Sequence, residues 1–108
     1  KQVTKKNAKL IINLISKFYK KKIQLKLPND ILINKKKICG ILQETVEKNE
    51  VKYLVVGIGL NLIKSPNINS YDTTNLYELT TNKISIRKIS NELKILYKNF
   101  LIRHKVFQ

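Results

Sequence analysis

The residue pattern predicts an α/β fold in which helices pack on a β-sheet. Three observations carry that expectation. Residues 4–20 repeat apolar side chains at helical spacing. Residues 23–60 alternate, or run apolar in short stretches, between turn-forming residues. Residues 86–102 return to the helical period. The 108 residues suit one domain or a piece of one, and such a length buries roughly two-thirds of the unfolded surface.

The elements follow in order. In residues 4–20, Leu10, Ile11, Leu14, Ile15 and Phe18 form the apolar stripe, with Lys5, Lys6, Lys9, Asn13 and Lys17 elsewhere. Thr4 is the expected N-cap, and Lys20, Lys21 and Lys22 suit the negative end of the helix dipole. Ile23–Leu27 alternates as a strand, with Ile23, Leu25 and Leu27 on one face. Pro28, Asn29 and Asp30 end it, because proline lacks a donor and Asn and Asp favour turns. Ile31–Ile33 is a short strand, Asn34–Lys36 a turn, and Lys37–Glu44 the returning arm of a hairpin. Val46–Glu50 is expected to turn again, and Lys52–Leu60 to form a buried strand. Residues 64–75 are a loop by composition, Leu76–Thr80 a short turn, and Ile86–Ile102 a second long helix. Ser85 is expected to cap that helix, with Ile89, Leu93, Leu96, Phe100 and Leu101 facing inward.

Composition narrows the function classes. A hydrophobic content of 43% argues against wholesale disorder. No apolar run approaches the ~20 residues of a membrane helix, and no membrane partner is expected. The polar start lacks a signal-peptide pattern, and Cys39 stands alone, so neither a disulfide nor a cysteine-built metal site is expected. A cytoplasmic setting follows as the expectation. The absence of Met, including at position 1, points to a piece of a longer protein. A net charge of +15 invites nucleic acid, but Arg87 and Arg103 are the only arginines, and Arg is the preferred reader of phosphates and bases. A non-catalytic basic nucleic-acid-binding module is therefore the weaker alternative.

Several residues can carry chemistry. Strict alternation puts Lys37, Cys39 and Ile41 on one face of the returning arm, and Ile38, Gly40 and Leu42 on the other. Lys37 is a compact cation that can meet a phosphate or carboxylate, although spacing alone favours a solvated turn of Lys35, Lys36 and Lys37. Gly40, Gly57 and Gly59 weaken their strands unless something approaches closely. Gly57 and Gly59 share a face with Val55 and Asn61, giving either a bare trough for a flat ligand or a seat for a packed helix. Gly57-Ile58-Gly59 lacks the third glycine of a dinucleotide fingerprint. Asn29 and Asp30 form a turn, and Asp30 can also accept hydrogen bonds or hold Mg2+ through water. Lys26 needs a partner, for which Asp30 and Glu44 are candidates. Cys39 reads as a small buried hydrophobe, the tyrosines as packing, and no protein-built metal site emerges.

Three segments then fall into one order: Lys26-Leu27-Pro28-Asn29-Asp30, Lys37-Ile38-Cys39-Gly40-Ile41-Leu42 and Gly57-Ile58-Gly59-Leu60-Asn61. In sequence and spacing they resemble the biotin protein ligases of the biotin/lipoate ligase catalytic-domain family. Thr74-Asn75-Leu76 resembles that family's loop before its last catalytic-domain helix.

The resemblance implies the mixed-sheet α/β fold related to class II aminoacyl-tRNA synthetases. It implies ATP-dependent ligation of biotin, through biotinyl-AMP, to a lysine of a biotin carboxyl carrier domain. Biotin and ATP would be substrates, with Mg2+ accompanying the nucleotide. Lys37 would be catalytic and meet the biotin carboxylate and α-phosphate. Gly40, Ile41, Gly57 and Gly59 would join it around biotin, while Asn29, Asp30 and Asn61 would serve the nucleotide. A homodimer is compatible with this assignment. Leu27 stands where the family has Trp, and the Gly-Arg-Gly-Arg loop and C-terminal β-domain are absent. Residues 1–108 are thus expected to be a partial catalytic domain, weak or inactive alone. The nearest rival is a lipoate–protein ligase of the same fold.

Overall fold

A computed structural model describes residues 2–104, with side chains described for residues 5–99. Its elements are α1 (Gln2–Ser16), β1 (Gln24–Lys26), β2 (Asp30–Ile33), β3 (Lys36–Lys48), β4 (Val51–Leu60), α2 (Leu76–Thr80) and α3 (Ile86–His104). The four strands form one antiparallel sheet in the order β1-β2-β3-β4. Ala8, Ile11, Leu14 and Ile15 of α1 meet Ile31, Ile33, Ile38, Cys39 and Ile41 of the sheet in one core, joined by Leu76 and Ile89. Full burial of each Ile or Leu stabilises the fold by about 1.5–3 kcal/mol, which makes this layer the main cohesive element.

Helix α1 differs from expectation at both ends. It begins at Gln2, so Thr4 lies inside it, and it ends at Ser16, so Lys20–Lys22 follow the helix. Tyr19 nevertheless folds back into the core, guided by its N–H donating to the Ile15 carbonyl at 2.9 Å. Helix α3 starts where its cap predicts: Ser85 Oγ accepts from the Lys88 N–H at 3.1 Å. Ile89 is buried, and Leu93 and Leu96 pack against the core; the side chains of Phe100 and Leu101 lie outside the described residues.

A polar relay ties both helices to the sheet. Asn7 Nδ2 donates to Gln43 Oε1 of β3, and the Tyr97 hydroxyl of α3 donates to Asn7 Oδ1 at 2.6 Å. Asn7 is 3% exposed, so these partners satisfy an amide that would otherwise cost about 1–3 kcal/mol to bury. Burial raises the Tyr97 phenol above its ordinary pKa.

The β3–β4 hairpin corrects two expectations. The turn expected over Val46–Glu50 is shorter than that range: β3 continues to Lys48, and only two residues, Asn49 and Glu50, reverse the chain, with φ of 53° and 65°. Nor is β4 buried along its length. Val56, Ile58 and Leu60 pack on the core, but Tyr53, Leu54 and Val55 are exposed. The apolar run reflects strand propensity here, because α1 and α3 cover only the end of the hairpin nearest β2. Leu27 is also exposed, so the first strand's inward face stops at Leu25.

The β2–β3 hairpin uses the same two-residue device, with Asn34 at φ 54° and Lys35 at φ 65°. Positive φ at both central positions is the I′ geometry that matches strand twist and favours Asn-Gly. Replacing Lys35 or Glu50 by glycine therefore relieves left-handed strain. Each of Lys35→Gly and Glu50→Gly is expected to raise stability by about 0.5–1 kcal/mol, read as a higher thermal midpoint. An unchanged or lower midpoint in both would remove strain from the account of these turns.

Candidate active site

The register between β2 and β3 creates the site. Asp30 pairs with Gly40 and Ile31 with Cys39, but Leu32 pairs with Lys37, so Ile38 is an extra residue on β3. Such a bulge re-aims the side chains beyond it. Ile38 and Cys39 both enter the core, and Lys37 is turned onto the face of Gly40, opposite to Cys39 and Ile41. Strict alternation placed Lys37 with Cys39 and Ile41; the bulge overturns that pairing.

On this face the strands are bare. Gly40 pairs with Gly59, and Leu42 with Gly57. A Cβ on Gly59 would find its nearest atom 3.9 Å away, at the Gly40 carbonyl, and one on Gly57 would meet only Leu42, at 3.7–3.8 Å. Both helices of the core lie on the opposite face, so the glycines floor an open groove rather than seat a helix. The groove, about 510 Å³, is lined by Asn29, Asp30, Lys37, Gly40, Ile41, Leu42, Gly57, Ile58 and Gly59. Ile41 and Ile58 turn their side chains to the core, so their backbone forms this wall.

Lys37 lies across the floor. Its Nζ would stand 3.2 Å, and its Cε 3.3 Å, from a Cβ on Gly40. Nζ pairs with Asp30 Oδ1 at 3.1 Å and sits 5.2 Å from the centroid of the Tyr71 ring. Partial burial by itself would lower the ammonium's pKa; the hydrogen bond and charge of Asp30, with help from Tyr71, outweigh it and hold Lys37 above the usual lysine value. The backbone is fixed as well: Lys37 N–H donates to the Asp72 carbonyl, and Thr74 N–H to the Lys37 carbonyl, both at 2.9 Å. Lys37 and Thr73 thereby form an isolated parallel bridge on β3, beyond the point where its pairing with β4 ends.

The other candidates sort by distance from this groove. Asn29 helps shape it, its carbonyl accepting from the Ile41 N–H at 2.9 Å. Asn61 lies outside the lining. Its Nδ2 donates to the Thr74 carbonyl at 3.0 Å, and its backbone carbonyl accepts from the Leu76 N–H at 3.1 Å, so it anchors the following loop. Lys26 is exposed and sits opposite Asp30 in register. Cys39 is buried, and burial pushes its thiol up to about 12 against the pull of Lys37, which leaves it protonated and inert. Among the described residues, no three His, Cys, Asp or Glu side chains gather as a metal site.

Tyr71 and Asp72 are neighbours of Lys37 that pattern reasoning missed, and Asn75, named only within Thr74-Asn75-Leu76, has a capping role it did not find. Asn75 caps α2, its Oδ1 accepting from the Glu78 N–H at 2.7 Å, and its Nδ2 donates to Ser65 Oγ at 2.8 Å. The Asn75-Leu76-Tyr77-Glu78 spacing is a cap signal that could have found it. Nothing local in the sequence marks Tyr71 as a neighbour of Lys37.

The sign of the Lys37 shift makes a prediction. A lysine whose folded pKa is raised contributes stability below its unfolded value, near 10.5, that is lost as pH rises through the folded value. Asp30→Asn removes the counter-charge and leaves the burial. The Lys37 Cε resonance is expected to titrate above 10.5 in the parent protein and distinctly lower in Asp30→Asn; equal midpoints would dissolve the pair.

Known proteins resemble this chain in sequence and in fold. Residues 4–61, more than half of the chain, match the model of the biotin/lipoate A/B protein ligase family. The Bacillus subtilis (strain 168) protein "Bifunctional ligase/repressor BirA" is 50% identical over 44 residues, 40% of this chain and 14% of that protein. The apo biotin protein ligase of Aquifex aeolicus superposes with a TM-score of 0.72 and 25% identity, covering 91% of this chain and 44% of that one. The Aquifex enzyme in complex with biotin and ATP gives 0.67 and 27%, over 85% and 39%. The P. falciparum LipL1 complex with lipoate shares the fold at 0.68, with 20% identity over 93% and 32%. The chain thus spans less than half the length of these solved structures. Among the described residues, no helix is long and apolar enough to cross a membrane. With its motifs on one α/β sheet and residues 4–61 within the family model, the chain belongs to the biotin/lipoate A/B protein ligase family.

Proposed function

We propose that this chain is the central part of a catalytic domain that ligates biotin to a lysine of a biotin carboxyl carrier domain, using ATP. The observation that carries the reading is Lys37 folded across a groove floored by Gly40, Gly57 and Gly59. Missing side chains let a slim ring system approach the backbone, and the ammonium stands at the end of that floor.

The chemistry asks for such a cation. A carboxylate oxygen of biotin forms a bond to the α-phosphorus of ATP as the bond to the pyrophosphate oxygen breaks, giving biotinyl-AMP and pyrophosphate. Two anions must meet, and negative charge builds on the phosphoryl oxygens. A positioned ammonium lowers both costs. The acceptor lysine amine then bonds to the acyl carbon, AMP leaves with the bonding pair, and the amine proton passes to solvent. In the resting site Asp30 holds Lys37 and keeps it charged, and substrate anions would compete for it. Asn29 and Asp30 would serve the nucleotide end of the groove. Asn61 would act there by holding residues 74–76 in place. Mg2+ needs only one or two carboxylates when phosphates supply the rest, and Asp30 is the groove carboxylate that fits.

Biotin is favoured over lipoate because Gly40-Ile41-Leu42 and Gly57-Ile58-Gly59-Leu60-Asn61 follow the biotin ligase pattern. The test is pyrophosphate release by the full-length protein, and by this chain, with biotin or lipoate plus ATP. Turnover with biotin by the full-length protein is expected, and a preference for lipoate would refute the assignment. The chain alone is expected to be weak, and robust turnover by it would refute its status as a partial site. Lys37→Ala is expected to lower adenylate formation about 10²–10³-fold with the circular dichroism unchanged. An unchanged rate would remove Lys37 from the mechanism. Gly40→Ala must displace the Lys37 tip by a few tenths of an ångström and begins to fill the groove. It is expected to weaken biotin binding while the thermal midpoint holds; equal binding would show that the floor is not used.

A further inference from the structure

We propose that Tyr71 is a positioning residue for Lys37, its ring face keeping the ammonium over the Gly40 floor while the ammonium changes anionic partners. The inference rests on the reading of Lys37 as the cation of the reaction centre.

Three contacts converge on the Lys37 side chain: Asp30 Oδ1 at 3.1 Å, the Tyr71 ring at 5.2 Å and the surface of Gly40. The first two differ in kind. Asp30 neutralises the ammonium, and an incoming carboxylate or phosphate must draw the cation away from it. The ring is neutral; it attracts the cation through its quadrupole and leaves the full charge available to a substrate anion. A lysine held by a carboxylate alone has four flexible carbons to swing through once that carboxylate is displaced. The ring closes off part of that sweep at no electrostatic cost to catalysis.

The backbone makes the pairing durable. Asp72, next to Tyr71, accepts the Lys37 N–H, and Thr74 donates to the Lys37 carbonyl, so the segment bearing the ring is tethered to the residue it positions. Thr73 Oγ1 donates to the Pro66 carbonyl at 2.8 Å, and Asn61 Nδ2 holds the Thr74 carbonyl, bracing the same segment from both sides. Tyr71 remains 44% exposed, more than a residue placed only to fill core.

The test compares Tyr71→Leu and Tyr71→Phe in the full-length protein by two readouts. The first is the Lys37 Hε resonance without substrate, assigned by its loss in Lys37→Arg. Ring current is expected to shift it upfield of exposed lysines in the parent and in Tyr71→Phe, and the shift is expected to vanish in Tyr71→Leu. A Lys37 resonance indifferent to Tyr71→Leu would overturn the proposal. The second is adenylate formation from biotin and ATP. Tyr71→Leu is expected to lower kcat about 3- to 30-fold with KM for either substrate within about 2-fold, and Tyr71→Phe to restore it. Equal loss in both variants, or a loss confined to KM, would overturn the positioning role. If the parent protein forms no adenylate, the ligase reading fails, and the resonance comparison still decides whether Tyr71 positions Lys37.

Discussion

One extra residue in β3 sets up the site. Ile38 is accommodated by a register shift between Ile31 and Leu32, and everything beyond it toward the turn is rotated to the opposite face. Without the shift, Lys37 would point with Cys39 and Ile41 into the helix-covered core, where an unpaired ammonium is prohibitively costly. With it, two consecutive side chains, Ile38 and Cys39, go to the core, and the ammonium reaches Asp30 on the open face. The bulge thus gives the sheet more hydrophobic burial and a partnered cation in one stroke.

The glycines make sense only beside that cation. Glycine in a strand sacrifices packing and adds entropy to the unfolded chain, a cost of roughly 0.5–1 kcal/mol at each position. Here none of the three has a positive φ, so backbone conformation does not demand glycine. At Gly40 the demand is space, because the Lys37 side chain occupies its surface; at Gly59 and Gly57 a Cβ would fit the empty trough, so glycine there is called for only by something lying in it. The opposite face of the same strands is conventional, with Ile41, Ile58 and Leu60 packed into the hydrophobic core. One face stabilises the fold, and the other is left unfilled.

Much of this was legible in the sequence. Periodicity located both long helices and all four strands, and the glycine face of β4 follows from simple alternation. The Asn34-Lys35 turn follows from its polar run. The misreadings have separate causes. Tyr53, Leu54 and Val55 look buried because strand propensity and burial favour the same residue types, and only the helix layer's extent distinguishes them. The bulge is invisible because alternation assumes perfect register. Asn7 was passed over as one polar residue among many on α1; its partners, Gln43 and Tyr97, are 36 and 90 residues away in the chain. Tyr71 was missed for the same reason, since only folding brings its loop beside Lys37.

The most direct measurement is a crystal structure of the full-length protein with biotin and a non-hydrolysable ATP analogue. Biotin lying on the Gly40–Gly59 floor, with its carboxylate and the α-phosphate both within hydrogen-bonding reach of Lys37 Nζ, is the predicted result. Biotin bound elsewhere, or a Lys37 ammonium still locked on Asp30 and turned from both anions, would contradict it.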